Sequence, residues 1–307
     1  MTSVSAAGRR ESIDALAATL MVFLTFSWGL NGVAAKLTYT GYSPIFLALV
    51  RSLIGGFLVF LWCRWRRISL FERDGTLWAG IFAGTLFAVE FMLIFVGLEY
   101  TSVARSVLLI NTMPFWTLIA GHFFFGERIS LRKLVGLLLA FGGLVLIFSD
   151  KLSVPGPDAL IGDLMNLAAG IAWAATIVVI RKSSLVRASA EKLLLYQLAV
   201  AVALAAVALP FFGPPIRDAN MVATGALLFQ SIYIVAFTYA LWFWLVQRYP
   251  SAGLASFTFL TPVFGVLLGG IILGEPLGFT IFLALMLIVG GLMLVNRAPK
   301  KPVSIGQ

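Results

Sequence analysis

The sequence predicts an all-α integral membrane protein: ten transmembrane helices forming two inverted five-helix repeats, with both termini cytoplasmic. Composition is the first reason, since 61% of the 307 residues are hydrophobic and 11% are charged, against roughly 45–50% and about 25% in soluble domains. The second is a duplication. Pro114, Gly126-Glu127 and Gly142-Gly143 recur 148 residues later as Pro262, Gly274-Glu275 and Gly290-Gly291, and a fixed displacement of several landmarks marks a repeated unit. The third is the placement of the basic residues, which fixes how the chain threads the bilayer.

Residues 1–14 are polar and form a cytoplasmic tail. The apolar run that follows is too long for the core of a signal peptide, so it is a retained span. A spanning helix needs about 20 apolar residues, because lipid offers no partner for an unpaired backbone group. Cutting the chain at its charged and Pro/Gly corners gives spans at 15–37, 44–63, 76–98, 102–125, 131–149, 160–181, 191–211, 220–245, 251–273 and 277–296. The repeats are then 15–149 and 160–296. A linker rich in turn-forming residues (150–159) separates them, and residues 297–307 form a second tail.

With the amino terminus inside, the cytoplasmic segments carry Arg9, Arg10, Arg64, Arg66, Arg67, Arg73, Arg128, Arg132, Lys133, Arg181, Lys182, Arg187, Lys192, Arg248, Arg297, Lys300 and Lys301. The opposite side carries Lys36, Arg105, Lys151 and Arg217. Seventeen against four decides the orientation. The net charge of +9 therefore lies in short loops and not on one nucleic-acid-binding face. An odd number of spans per repeat makes the second copy enter the membrane from the other side, an arrangement typical of secondary transporters.

Ten spans, inside termini and Pro...Gly-Glu...Gly-Gly near the end of each half resemble the drug/metabolite transporter superfamily, in particular its EamA-type bacterial exporters. Phe26-Ser27-Trp28-Gly29-Leu30-Asn31 in the first span and Ala172-Trp173-Ala174 in the sixth agree with the opening of that family's repeats. The resemblance covers residues 15–296 and is strongest to the aromatic amino acid exporters. It implies a metabolite exporter of a bacterial-type inner membrane, with a cavity walled by spans 1, 3, 4, 6, 8 and 9, and with spans 5 and 10 peripheral.

Candidate site residues come from helix faces that join aromatic surface to one polar group, the composition of a pocket for a small amphiphile. Trp28 and Asn31 share a face of span 1; Phe87, Glu90 and Phe91 share one of span 3; Asn166 and Trp173 one of span 6; Gln230, Tyr233 and Phe237 one of span 8. An acid at bilayer depth costs about 2.5–3.5 kcal/mol to insert, so Glu90 should face protein or water, where it could hold a substrate amino group or a coupling proton. Arg51 is its candidate cation partner, with a packing role as the plainer reading. Aromatics far outnumber what one pocket needs, and most serve packing or the lipid boundary. Asn and Gln also bond helix to helix.

Pro114 and Pro262 sit in mid-span and free a carbonyl four residues earlier, at Ile110 and Thr258, which makes spans 4 and 9 the gating candidates. Asn111 joins the substrate-binding candidates because it lies beside the first of these defects, as Thr261 lies beside the second. Glu127 and Glu275 end spans and are read as corner pins; the Gly-Gly pairs are read as packing surfaces.

The single Cys63 and single His122 allow no disulfide and no zinc site. There is no phosphate-binding loop and no credible catalytic triad, so the expectation is a non-enzyme without cofactor. The expected function is export of small amphiphilic metabolites, amino acids including aromatic ones, by alternating access. A multidrug or lipophilic-cation exporter on the same fold is the alternative, with an intramembrane enzyme or scaffold behind it. The expected partners are the solute, the lipid bilayer and, as a candidate coupling ion, the proton; the chain is a monomer or weak homo-oligomer.

Overall fold

The computed structural model describes residues 12–149, 152, 156–273 and 279–296. Among them no β-strand forms; one isolated antiparallel bridge joins Tyr42 to Ile216. The helices are α1 (Ala15–Tyr39), α2 (Pro44–Trp65), α3 (Leu77–Tyr100), α4 (Val103–Ile110), α5 (Met113–Phe125), α6 (Leu131–Phe148), α7 (Ala159–Lys182), α8 (Ala190–Ala208), α9 (Met221–Phe229), α10 (Tyr239–Arg248), α11 (Ser251–Phe257), α12 (Leu260–Leu273) and α13 (Thr280–Asn296). A π-helical segment, Gln230–Thr238, links α9 to α10. Nine helical stretches among the described residues are long and apolar enough to cross a membrane, and α13 is a shorter apolar one.

Local chemistry sets the helix ends. Asp14, Ser43, Ser102, Ser130, Ser189 and Asn220 each accept a hydrogen bond from the first turn of the helix they precede, offsetting backbone N–H groups that have no partner inside the helix. Gly126 closes α5 with φ of 67°, a left-handed conformation that glycine reaches without steric cost.

Spans 4 and 9 are interrupted rather than gently kinked. The chain turns at Asn111-Thr112 and at Thr258-Phe259, just before the two prolines. Hydroxyls bond back across each break, Thr112 Oγ1 donating to the Leu109 carbonyl at 2.7 Å and Thr258 Oγ1 to the Ala255 carbonyl at 2.7 Å, and the Thr258 carbonyl that Pro262 frees accepts from the Thr261 N–H at 3.0 Å.

Helix α6 packs along α13, α3 along α7, α2 along α8, and α1 along α12. Glycine makes the α6–α13 approach close. A Cβ on Gly143 would lie 2.7 Å from the Ala284 carbonyl oxygen, and one on Gly136 would lie 2.7 Å from that of Gly291. Of the expected packing pairs, only Gly143 and Gly291 are in the seam; Gly142 and Gly290 face open space. The pairing pattern has an internal regularity. Exchanging each span with the one five places later carries α3·α7 onto the contacts of α1 with α9 and the π segment, and α1·α12 onto those of α7 with α4 and α5.

Asp14, the corner between α10 and α11, and Asn296 lie together at one end of the bundle: Tyr249 Oη donates to Asp14 at 3.2 Å and Asn296 Nδ2 to Ser256 Oγ at 3.2 Å. Glu127 also sits at this end, where it accepts from both terminal nitrogens of Arg181 at 3.2 Å, while Arg181 additionally donates to Ser251. That is the corner pin expected of Glu127. Its counterpart Glu275, the Gly274 beside it, Lys151 and residues 1–11 and 297–307 of the two tails lie outside the described residues. On the lipid-facing circumference large apolar side chains such as Leu53, Phe57, Phe82, Leu138 and Phe282 are exposed, the reverse of a water-soluble surface.

Candidate functional site

A cavity of about 710 Å³ opens in the middle of the bundle. Its wall is built from the later half of α1, the middle of α3, the length of α4, the middle of α7, the start of α10 and the break between α11 and α12 with the α12 turns that follow it, with Phe148 of α6 at one side. The cavity runs along α1 from Trp28 to Tyr39, about 16 Å of helix at 1.5 Å per residue. At its rim Lys36 and Val103 are exposed. Towards the Asp14 end, Met21, Leu24, Ile180, Leu245 and Leu254 are fully buried in one apolar cluster, which closes that side. The cavity is therefore a one-ended vestibule, open at the Tyr39 end.

Its floor is aromatic. Trp28 meets Trp242 edge to face at 5.5 Å and Tyr239 at 6.4 Å, and Phe87 meets Phe91 at 4.9 Å and Tyr239 at 6.1 Å. The Trp28 indole N–H donates to Thr238 Oγ1 at 3.0 Å, which fixes the ring across the α1–π interface. Polar groups are sparse. Asn31 Oδ1 and Thr261 Oγ1, both on lining residues, are buried without a hydrogen-bond partner among the described residues. Buried polar atoms of this kind carry a desolvation cost of about 1–3 kcal/mol unless something pairs with them. Glu90 is 6% exposed, lines the cavity, and accepts no hydrogen bond among the described residues.

Of the residues singled out from the sequence, Trp28, Asn31, Phe87, Glu90, Phe91, Asn111, Trp173 and Pro262 line this cavity. Five others sit elsewhere. Asn166 is fully buried between helices, accepting from Ser106 Oγ at 2.5 Å and donating to the Gly162 carbonyl at 2.7 Å; it ties α7 to α4. Gln230 is fully buried and donates to Thr38 Oγ1 at 2.8 Å. Tyr233 hydrogen bonds Ser27 at 2.8 Å and stacks on Phe229 and Phe237, and Phe237 is 53% exposed on the outer surface. Pro114 is buried behind the cavity wall.

The eighth span departs for a physical reason. Its face was phased on a 3.6-residue period, but Gln230–Thr238 is π-helical, and i→i+5 bonding shifts the phase of everything that follows. The residues of this span that reach the cavity are Tyr239, Trp242 and Phe243, just past the π segment. Hydroxyls support the altered backbone: Ser231 Oγ donates to the Leu227 carbonyl at 2.7 Å and Thr238 Oγ1 to that of Ile234 at 2.6 Å. The sequence signal for Tyr239-Trp242-Phe243 was their own i, i+3, i+4 spacing. Lys36, Tyr39 and Thr176 also line the cavity without having been singled out for it.

Comparison with known proteins gives consistent matches. Residues 15–149 and 160–297 each match the model of the EamA-like transporter family. A Bacillus subtilis (strain 168) protein named uncharacterized transporter YvbV is 27% identical over 94% of this chain and 95% of its own. An Escherichia coli (strain K12) protein named probable amino-acid metabolite efflux pump is 26% identical over 91% of this chain and 93% of its own. A solved crystal structure superposes with a TM-score of 0.80 at 21% identity, covering 91% of this chain and 97% of that one.

Proposed function

This chain belongs to the EamA-like transporter family, within the drug/metabolite transporter superfamily, and from that premise we propose that it is a secondary carrier exporting small amphiphilic metabolites, amino acids including aromatic ones among them. The observation that carries the reading is the cavity. It is large enough for an amino acid, floored by rings, and supplied with a carboxyl, an amide oxygen and a hydroxyl that no other group among the described residues hydrogen bonds. In the proposed pose the ammonium group of the solute meets Glu90 and donates to Asn31 Oδ1, its ring stacks against Trp28, Phe87 and Tyr239, and the Thr261 hydroxyl donates to its carboxylate.

The basic-residue bias sets the Asp14 end in the cytoplasm, so the cavity faces outward, the state from which an exported solute leaves. The twofold family match and the exchange regularity of the helix pairings support two repeats of opposite orientation. Exchanging their conformations would close the Tyr39 end and open the Asp14 end. Spans 4 and 9, already broken beside Pro114 and Pro262, are the hinges of that exchange. A bacterial-type inner membrane is the setting this orientation fits.

Counterflow of labelled phenylalanine in proteoliposomes tests the reading. Trp28→Ala and Glu90→Gln, in protein that inserts normally, are expected to lower uptake efficiency by about tenfold each, from loss of an aromatic contact and of a charge-assisted bond. Wild-type flux in both variants contradicts the site. One observation favours the lipophilic-cation reading: an acid flanked by Phe87 and Phe91 is also suited to a bare cation. Saturable transport of a cationic dye without amino-acid transport would decide for it.

A further inference from the structure

We propose that Arg51 is the specificity-determining residue that makes this cavity select zwitterions over simple cations, a role that rests on the carrier reading above. Arg51 lies two turns into α2 and is 5% exposed, at a depth where a cation is rare without a function. Its guanidinium carbon stands 4.4 Å from the centre of the Phe91 ring. Arg51, Phe87 and Phe91 share a second, small void of about 20 Å³, and the same two rings line the main cavity. They form a partition one aromatic layer thick, with Arg51 behind it and the solute space in front.

The Arg51 charge crosses that partition. It acts on Glu90, Tyr239 and Tyr39, all of which line the main cavity. Among the described residues no Arg51–Glu90 ion pair closes within hydrogen-bonding reach. Arg51 thus offsets the Glu90 charge from behind without occupying its oxygens, which stay available to a ligand. Among the described lining residues the other charged group is Lys36, at the rim.

This arrangement has a consequence for selectivity. A lone carboxylate in an apolar cavity would attract any amphiphilic cation. When an ammonium group holds Glu90 in its ionised form, Arg51 cancels the carboxylate charge, and a univalent cation leaves the site with an uncompensated positive charge. A zwitterion leaves it neutral, with its ammonium group on Glu90 and its carboxylate in the positive field of Arg51 and Lys36. Discrimination then comes from a repulsive element as much as from an attractive one.

The test is competition against labelled phenylalanine counterflow in wild-type proteoliposomes, using unlabelled phenylalanine and phenethylamine, which keeps the ring and ammonium but lacks the carboxylate. In the wild type phenethylamine should compete at least about tenfold more weakly than phenylalanine. Arg51→Gln should bring the two within about threefold, while Arg51→Lys, which keeps the charge, should restore the wild-type ratio. Equal competition in the wild type overturns the proposal even if the variants fail to insert, as does an Arg51→Gln ratio equal to that of the wild type. A wild-type protein that moves no labelled phenylalanine contradicts the carrier reading as well, which separates the two failures.

Discussion

Asp74, in the connection between α2 and α3, accepts hydrogen bonds from Lys192 Nζ at 2.8 Å and from Thr76 Oγ1 at 2.6 Å. The bond from Lys192, then that from Thr76, holds its carboxyl well below the ordinary carboxylate range. A depressed carboxylate pKa contributes stability that is complete above the unfolded value of about 4 and is lost as pH falls through the lower folded value. Thermal melts in detergent should therefore show Asp74→Asn less stable than the wild type at pH 7, with the gap narrowing below about pH 4. A gap independent of pH would contradict this account of the corner. At the same scale, a hydroxyl–carboxylate bond recurs at each end of the bundle. Tyr249 meets Asp14, and Thr101 meets Asp163 at 2.7 Å. The hydroxyls are 148 residues apart in sequence and the acids 149, so the duplication extends to individual contacts.

Helices test how well periodicity can be read. Among the described residues the apolar run lengths located nine helical stretches long enough to cross a membrane and a shorter tenth, because the bilayer requirement acts on each segment alone. Trp28 with Asn31, and Phe87 with Glu90 and Phe91, kept their 3.6-residue phase and reached the cavity together. The eighth span did not, because its backbone winds as a π-helix there, and nothing in Gln230–Thr238 announces that locally. Asn166 shows a different limit: helix phase cannot say which neighbour a face meets, and α4 met it first. The glycine pairs divide in the same way. Gly143→Ala should destabilise the protein by about 1–3 kcal/mol, since its Cβ would overpack the α6–α13 seam. Gly142→Ala, with nothing within 4 Å of its Cβ, should be neutral or stabilising by up to about 1 kcal/mol through helix propensity. Thermal-shift melts of the two variants side by side settle it, and equal effects would contradict the assignment of the seam.

The molecule as a whole is a vestibule with one open end, closed at the other by an apolar plug and by the Asp14–Tyr249 and Glu127–Arg181 ties. Composition and duplication made the membrane class and the carrier expectation legible. Which end is open was not legible, because the proposed exchange of conformations between the halves would encode both states in one sequence. The most direct measurement uses Val107, which lines the cavity. Cys63 is the only native cysteine, so a Cys63→Ser, Val107→Cys protein carries a single thiol. The account predicts that a membrane-impermeant thiol reagent labels it from outside in right-side-out vesicles, and that phenylalanine slows the labelling. Labelling only from the cytoplasmic side, or at a rate no amphiphilic solute changes, would contradict the claim that this cavity is the solute's route.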